Sequence, residues 1–300
     1  MPELPEVETV CQGIKSSILG AKFSLIKLYR PDLRWPLPKS MDKRLRSSKV
    51  VAVRRRGKYI LISTDNDCTL IVHLGMSGRI IIAKEGHIKE ETGAFYHNTL
   101  RRQNKFTDVV SKHDHVIFIL DCPTGERIKL IFNDARRFGA IDLANTRKTL
   151  CHKWLQNLGP EPLESDFSVK YLKEKVKKKG NTIKAALLDQ SFVSGIGNIY
   201  ASEILWHARI SPLRICNTLN TYEIRKLMVE IRNVLSKAIL KGGSSLKDFR
   251  NTDGDLGYFQ MYFNVYDREG KGCRNKKCCE YVKKIVQNGR SSFFCNSCQH

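Results

Sequence analysis

No stretch of this sequence approaches the roughly 18 consecutive apolar residues that a membrane-spanning helix needs. The first residues carry Glu3, Glu6 and Glu8 where a secretory leader would have its apolar core. Neither a membrane span nor an exported destination is expected, and a cytoplasmic location is. No internal repeat is present. Acidic residues are scarce as well: 30 stand against 52 lysines and arginines, a formal charge of +22 spread along the whole chain. That imbalance points to a polyanionic partner, nucleic acid first, although a solvated lysine-rich surface produces the same count.

Three hundred residues exceed one ordinary core and suggest two or three domains, with enough apolar content to fold without disulfides. Ten cysteines are present, but five lie between Cys273 and Cys298, while Cys11, Cys68, Cys122, Cys151 and Cys216 are scattered singly. The scattered five read as reduced, mostly buried thiols.

The opening, "MPELPEVETV", predicts a helix with Pro5 in its first turn and acidic residues near the positive end of its dipole. This leaves Pro2 unexplained. The apolar face of the helix uses Val7, Val10, Cys11, Ile14 and Ile18 at helical spacing. Six β-rich runs follow: "KFSLIKLY", "VVAVRRRGKYILIS", "CTLIVHLGMSGRIIIA", "HVIFILDC", "RIKLIFND" and "GAIDLA". Turns such as "TDND" and "PTGE" join neighbours as hairpins, so an antiparallel sandwich is expected to about residue 145. The polar stretch 84–112 is expected to be a long loop. After "LGPEPL" the pattern becomes helical, in "SVKYLKEKVKKK", "TIKAALLD", "NIYASEILWHA" and "TYEIRKLMVEIRNVLSKAIL". The last helix should stop at Gly242–Gly243, before the loop-like "GGSSLKDFRNTDGDLGYF".

The quartet Cys273-x4-Cys278-x16-Cys295-x2-Cys298 suits a tetrahedral zinc ion held by two cysteine pairs on a small hairpin. Cys279 adjoins Cys278, and spacing alone leaves open which of them binds. In "SGIGNIYASEILW", Gly195 and Gly197 make a tight turn and Asn198 is placed at a helix N-cap. Its backbone N–H groups and the Asn amide form a potential phosphate site, and a purely structural glycine turn reads the same way.

Together, "PELPEVET", "RRGKY", "HLGMSG", "ARRFGA", "LGPEPL", "GIGNIYASE", "GGSSLKDF" and the terminal cysteine hairpin resemble the formamidopyrimidine-DNA glycosylases, whose family also includes endonuclease VIII. The match runs in order along nearly the whole chain. The resemblance implies an α+β multidomain fold. Its parts would be an N-terminal antiparallel β-sandwich with flanking helices (1–150), a helical helix-two-turn-helix domain with a lid loop at 242–259 (151–260), and a zinc finger (261–300). It also implies a bifunctional glycosylase and abasic-site lyase of base excision repair. Such an enzyme removes oxidised purines (8-oxoguanine, formamidopyrimidines) from double-stranded DNA and works as a cytoplasmic, nucleoid-associated monomer.

Carried over residue by residue, the resemblance makes Pro2 the nucleophile after loss of Met1. A secondary amine attacking C1′ yields an iminium directly, an electron sink for β- and then δ-elimination. Glu3 becomes the general acid and proton shuttle, with Glu6 one turn away on the same face, and Lys58 grips a phosphate at the lesion. Met76 and Phe138 wedge into the gap left by the flipped base, and Arg136 hydrogen-bonds the orphaned cytosine. Without the resemblance, Met76 and Phe138 would pass for core residues and Lys58 for a solvated strand lysine. Asn198 and Arg290 map to phosphate clamps, Lys247 and Tyr258 to contacts with the extruded base, and Cys273, Cys278, Cys295 and Cys298 to the zinc ligands. Cys278 is preferred because it keeps sixteen residues before Cys295. His73 and His207 are given structural roles.

Three features depart from the family pattern: the four-residue spacing of the first cysteine pair, Ala135 where proline usually precedes "RRFG", and the length of 84–112. Two rival functions are an endonuclease VIII-like preference for oxidised pyrimidines and an inactive DNA-binding zinc protein.

Overall fold

A computed structural model describes residues 2–84, 110–244 and 257–300. Helix α1 (Leu4–Ile18) is followed by strand β1 (Lys22–Leu28), the short helix α2 (Met41–Leu45), and strands β2 (Val50–Arg56), β3 (Tyr59–Thr64), β4 (Cys68–His73) and β5 (Arg79–Lys84). Strands β6 (Asp114–Asp121), β7 (Arg127–Asn133) and β8 (Ala140–Asn145) complete this half. Two four-stranded antiparallel sheets result, in the orders β1-β6-β7-β5 and β2-β3-β4-β8. Each β-rich run of the sequence becomes one strand or two, because alternating branched residues suit a pleated sheet with one buried face; "VVAVRRRGKYILIS" forms the β2–β3 hairpin, whereas "CTLIVHLGMSGRIIIA" crosses between the sheets as β4 and β5. Phe23, Phe118, Phe132, Ile60, Ile62, Leu70 and Val72 fill the space between the sheets, and α1 lays Val7, Val10, Cys11, Ile14 and Ile18 into the same core. Helix α2 escapes sequence reading because five residues are too few to show a period.

The second half is helical: α3 (Val169–Lys177), α4 (Ile183–Leu188), α5 (Asn198–Ala208) and α6 (Thr221–Leu240). Side chains at three N-caps accept backbone N–H groups: Ser168 for α3, Thr182 for α4 and Asn220 for α6. These helices share a core around Phe167, Phe192, Tyr200, Leu227 and Ile231 that also takes in Leu4, the first residue of α1. Helix α1 therefore has its tip in the helical core and its body in the sandwich core, which places the N-terminus at the junction. The final hairpin, β9 (Lys283–Gln287) and β10 (Arg290–Phe294), packs Val282, Phe293, Cys295 and Cys298 against Trp206 of α5. Among the described residues no helix is long and apolar enough to cross a membrane. Of the scattered cysteines, Cys11, Cys68 and Cys216 are buried, Cys122 is half-buried and Cys151 is exposed.

Candidate active site

Glu3 caps α1, and its carboxylate is buried at 3 % exposure. One oxygen accepts the Gly197 N–H at 2.7 Å and the Tyr200 N–H at 3.4 Å, and the other accepts the Ile199 N–H at 2.9 Å. The amide donors at the start of α5 are thus occupied by Glu3 instead of standing open for a phosphate, and Gly197 rather than Asn198 is the N-cap. The glycine requirement at 197 is steric. A Cβ there would lie 2.3 Å from the Glu3 carboxyl carbon, so any other residue would expel the acid.

Glu6 is equally buried. One oxygen accepts the Glu3 N–H at 2.9 Å; the other accepts the Tyr200 hydroxyl at 2.6 Å and the Ser244 N–H and hydroxyl at 2.7 and 2.9 Å. It joins α1, α5 and the segment after α6. Tyr258, 56 % exposed, bridges to Ser244, so both feet of the glycine-rich segment meet there. Lys247 lies outside the described residues, as do most of 242–259 and of 84–112.

Lys58 does not sit on a strand face in solvent. It occupies the tight turn between β2 and β3 and is buried. Burial pulls its pKa below the usual lysine range, against the opposing pull of Glu3 and with added repulsion from Arg290. Burial likewise raises the Glu3 carboxyl, outweighing Lys58, while Glu6 pushes in the same direction as burial. A desolvated acid and a desolvated lysine thus act on each other through their charges, and Pro2, next to the acid in sequence, is itself buried. His73 belongs to this neighbourhood too. Its Nδ1 accepts the Gly75 N–H at 3.1 Å, and burial, Lys58 and Arg34 bring its pKa down to about 4, so the ring is neutral.

Asn198 donates its side-chain amide to the Ser291 carbonyl at 2.9 Å, one residue from the exposed Arg290. The same carbonyl accepts from Lys184 at 2.8 Å, and Ser292 Oγ takes a second bond from that lysine at 2.6 Å. Lys184 is buried, and its pKa falls to about 8, chiefly through burial and then through Arg290. In the sequence it is one lysine among many in "KKKGNTIK", and nothing there distinguishes it. His207 stays structural, its Nε2 3.2 Å from the Asn264 amide.

Met76 and Phe138 are not core residues. They are 40 % and 42 % exposed, and the Arg136 guanidinium lies 4.7 Å from the Phe138 ring centre. All three project from two adjoining loops. In the hairpin, the sulfurs of Cys273, Cys278, Cys295 and Cys298 lie within 4.8 Å of one another, and Cys279 is exposed outside the cluster. The Cys273–Cys298 and Cys278–Cys295 separations are 3.8 and 3.6 Å. Tetrahedral thiolates about 2.3 Å from a zinc ion would stand about 3.8 Å apart, so the donor set fits such a metal.

Residues 1–141 match the sequence profile of the formamidopyrimidine-DNA glycosylase N-terminal domain, and residues 158–250 match that of the H2TH domain of the same glycosylase. The formamidopyrimidine-DNA glycosylase of Dinoroseobacter shibae is 49 % identical over 299 residues, covering all of both chains. Among solved structures, a variant of the Lactococcus lactis protein in complex with a Fapy-dG containing DNA superposes with a TM-score of 0.83 at 32 % identity over all of both chains. The Lactococcus lactis protein with an abasic site containing DNA gives 0.83 at 32 % over 99 % of both chains.

Proposed function

The chain belongs to the formamidopyrimidine-DNA glycosylase family, and on that premise we propose which of its residues carry the chemistry. It is a base-excision-repair enzyme that removes oxidised purines from DNA, and strand cleavage at the resulting abasic site is typical of its family.

Once Met1 is removed, the Pro2 nitrogen attacks C1′ of the extruded nucleotide as the bond from C1′ to the base breaks. Glu3 protonates the sugar ring oxygen as the ring opens, leaving an iminium between Pro2 and C1′. Loss of the 3′ and then the 5′ phosphate follows by β- and δ-elimination. The buried Glu3 carboxyl, fixed by the Gly197, Ile199 and Tyr200 N–H groups next to Pro2, is the observation that carries the reading, and burial raises its pKa in the direction a proton donor needs. Lys58, Asn198 and Arg290 grip the phosphates around the lesion. Met76, Arg136 and Phe138 fill the space vacated by the base. Glu6 supports Glu3 and anchors Ser244, while Tyr258 and Lys247 contact the extruded base. Four thiolates, from Cys273, Cys278, Cys295 and Cys298, hold one structural zinc ion that keeps Arg290 in place. The division into 1–150, 151–260 and 261–300, with action as a monomer in the cytoplasm and nucleoid, belongs to the same reading; three of the four hydrophobic clusters lie mainly within one of these spans each, while the fourth joins Leu61, Ile71 and Ala144 to Leu155 across residue 150.

Borohydride tests the central step. It should reduce the iminium to a stable protein–DNA adduct on an 8-oxoguanine duplex, with the linkage mapping to residue 2. A tag that keeps the proline nitrogen in an amide should abolish trapping while lesion binding persists. An adduct at Lys58, or full nicking by the blocked protein, would overturn the assignment.

A further inference from the structure

The two loops that carry Met76, Arg136 and Phe138 share one internal anchor. Asp134 is fully buried, at 0 % exposure. Its Oδ1 accepts the Ser77 hydroxyl at 2.6 Å and the Arg136 N–H at 3.2 Å, and its Oδ2 accepts the Gly139 N–H at 2.8 Å. The Arg136 N–H also reaches the Ser77 hydroxyl at 3.2 Å. The main chain of Asp134 is held as well: its N–H donates to the His113 carbonyl at 2.9 Å, and its carbonyl accepts from His115 Nε2 at 2.7 Å. One side chain therefore closes the 134–139 loop upon itself and ties it to the residue following Met76. The loops touch so closely that a Cβ on Gly75 would come within 2.4 Å of the Phe138 carbonyl carbon, and Gly75 has a φ of +65°. Arg137, between Arg136 and Phe138, is held at a φ of +58°, a conformation that needs support from its surroundings.

Three exposed side chains on two loops can fill a gap in a duplex only if the loops keep a fixed separation. Buried, satisfied polar networks supply that kind of uniqueness. We propose that Asp134, acting through Ser77, is the positioning residue that locks these two loops into one rigid wedge, and that the lock sets how strictly the base opposite the lesion is read. This rests on the wedge assignment of Met76, Arg136 and Phe138 made above. Asp134 is fully buried, and the hydroxyl of the half-buried Ser77 is spent on it and on the Arg136 N–H, so their effect passes through the position of Arg136.

The test compares excision of 8-oxoguanine opposite cytosine and opposite adenine, as kcat/KM, in the full-length enzyme. Asp134→Asn keeps the volume but turns an acceptor into a donor facing Ser77 or a backbone N–H. Ser77→Ala removes only the bond between the loops. Both should lower kcat/KM opposite cytosine by about tenfold, the scale of one good side-chain contact to a base, and leave adenine nearly unchanged, so the discrimination ratio collapses. Equal losses opposite both bases, or an unchanged ratio in both variants, would overturn the lock. Should thermal melting show Asp134→Asn to be misfolded, Ser77→Ala alone decides. Arg136→Ala separates the two readings. If it leaves the ratio intact, the wedge assignment fails. If it collapses the ratio while Asp134→Asn and Ser77→Ala retain it, the wedge stands and the lock is wrong.

Discussion

Two opposed pKa displacements define the site at the scale of single residues. Three backbone N–H groups and the Lys58 cation favour an ionised Glu3, yet burial with Glu6 nearby prevails, so the carboxyl keeps its proton to higher pH than a solvated glutamate. If the proton on Glu3 is needed for base excision, single-turnover excision should fall as pH rises through the raised pKa. Glu3→Gln should lack that limb and be slow throughout, while still nicking a ready-made abasic duplex, because the Pro2 amine is untouched. Lys58→Gln removes a positive charge that lowers the acid's pKa, so the limb should shift to higher pH. A shift to lower pH, or a limb surviving in Glu3→Gln, would assign the titration to another group. At this scale the sequence singles out residues that belong to a contiguous motif, as Pro2, Glu3 and Lys58 do, and the structure buries all three. Asp134 and Lys184 were not readable, because their roles come from partners 57 and 107 positions away.

Elements were legible in proportion to their periodicity. Alternating branched residues marked the strands, apolar faces at helical spacing marked the long helices, and paired cysteines marked the hairpin. What periodicity could not show is which element borrows another's terminus. The start of α5 reads as an open anion site but is filled by Glu3 from α1. Between the adjacent cysteines, only the family's sixteen-residue spacing favoured Cys278, and the hairpin agrees geometrically: the Cys278 sulfur lies with the other three, and Cys279 is exposed outside the cluster. Asn275 adds a bond to Cys298 Sγ at 3.1 Å, the kind of outer contact that orients a thiolate ligand. Bound zinc, measured as metal per mole of protein, should therefore be lost in Cys278→Ser and retained in Cys279→Ser, with the hairpin's folding following the metal. The reverse pattern would move the ligand by one position.

The whole molecule depends on how its two large cores are held in register, because Lys58 comes from the sandwich while the amides that hold Glu3 come from the helical half. Besides Leu4, the junction is clamped by Glu161 of "LGPEPL". The motif reads as a simple boundary, yet its carboxylate accepts from Arg55 at 2.5 Å, Arg56 at 2.9 Å, the Gly57 N–H at 2.6 Å and Ser194 at 3.0 Å. The side chains of Arg55 and Glu161 are 9 % and 13 % exposed, so this pair is screened far less than a surface bridge. Burial pushes Glu161 up, but Arg55, the Gly57 amide and Arg56 outweigh it and hold the carboxyl below its usual range. A depressed native pKa stabilises the fold fully above the unfolded carboxyl's pKa, and that stability is lost as pH falls through the native one. Glu161→Gln leaves Arg56 without its carboxylate and Arg55 with Glu8 alone, at 2.7 Å, and should cost about 3 kcal/mol near neutral pH, the lower end for breaking a buried pair. Denaturant unfolding should show the gap between wild type and variant narrowing as the solution is acidified below the normal carboxylate range. Nicking of lesion duplexes should fall too, because Gly57 adjoins Lys58. A gap below about 1 kcal/mol, the scale of exposed pairs, or one that does not change with pH, would mean that Glu161 is a solvated surface charge and that Leu4 and its neighbours alone hold the halves together.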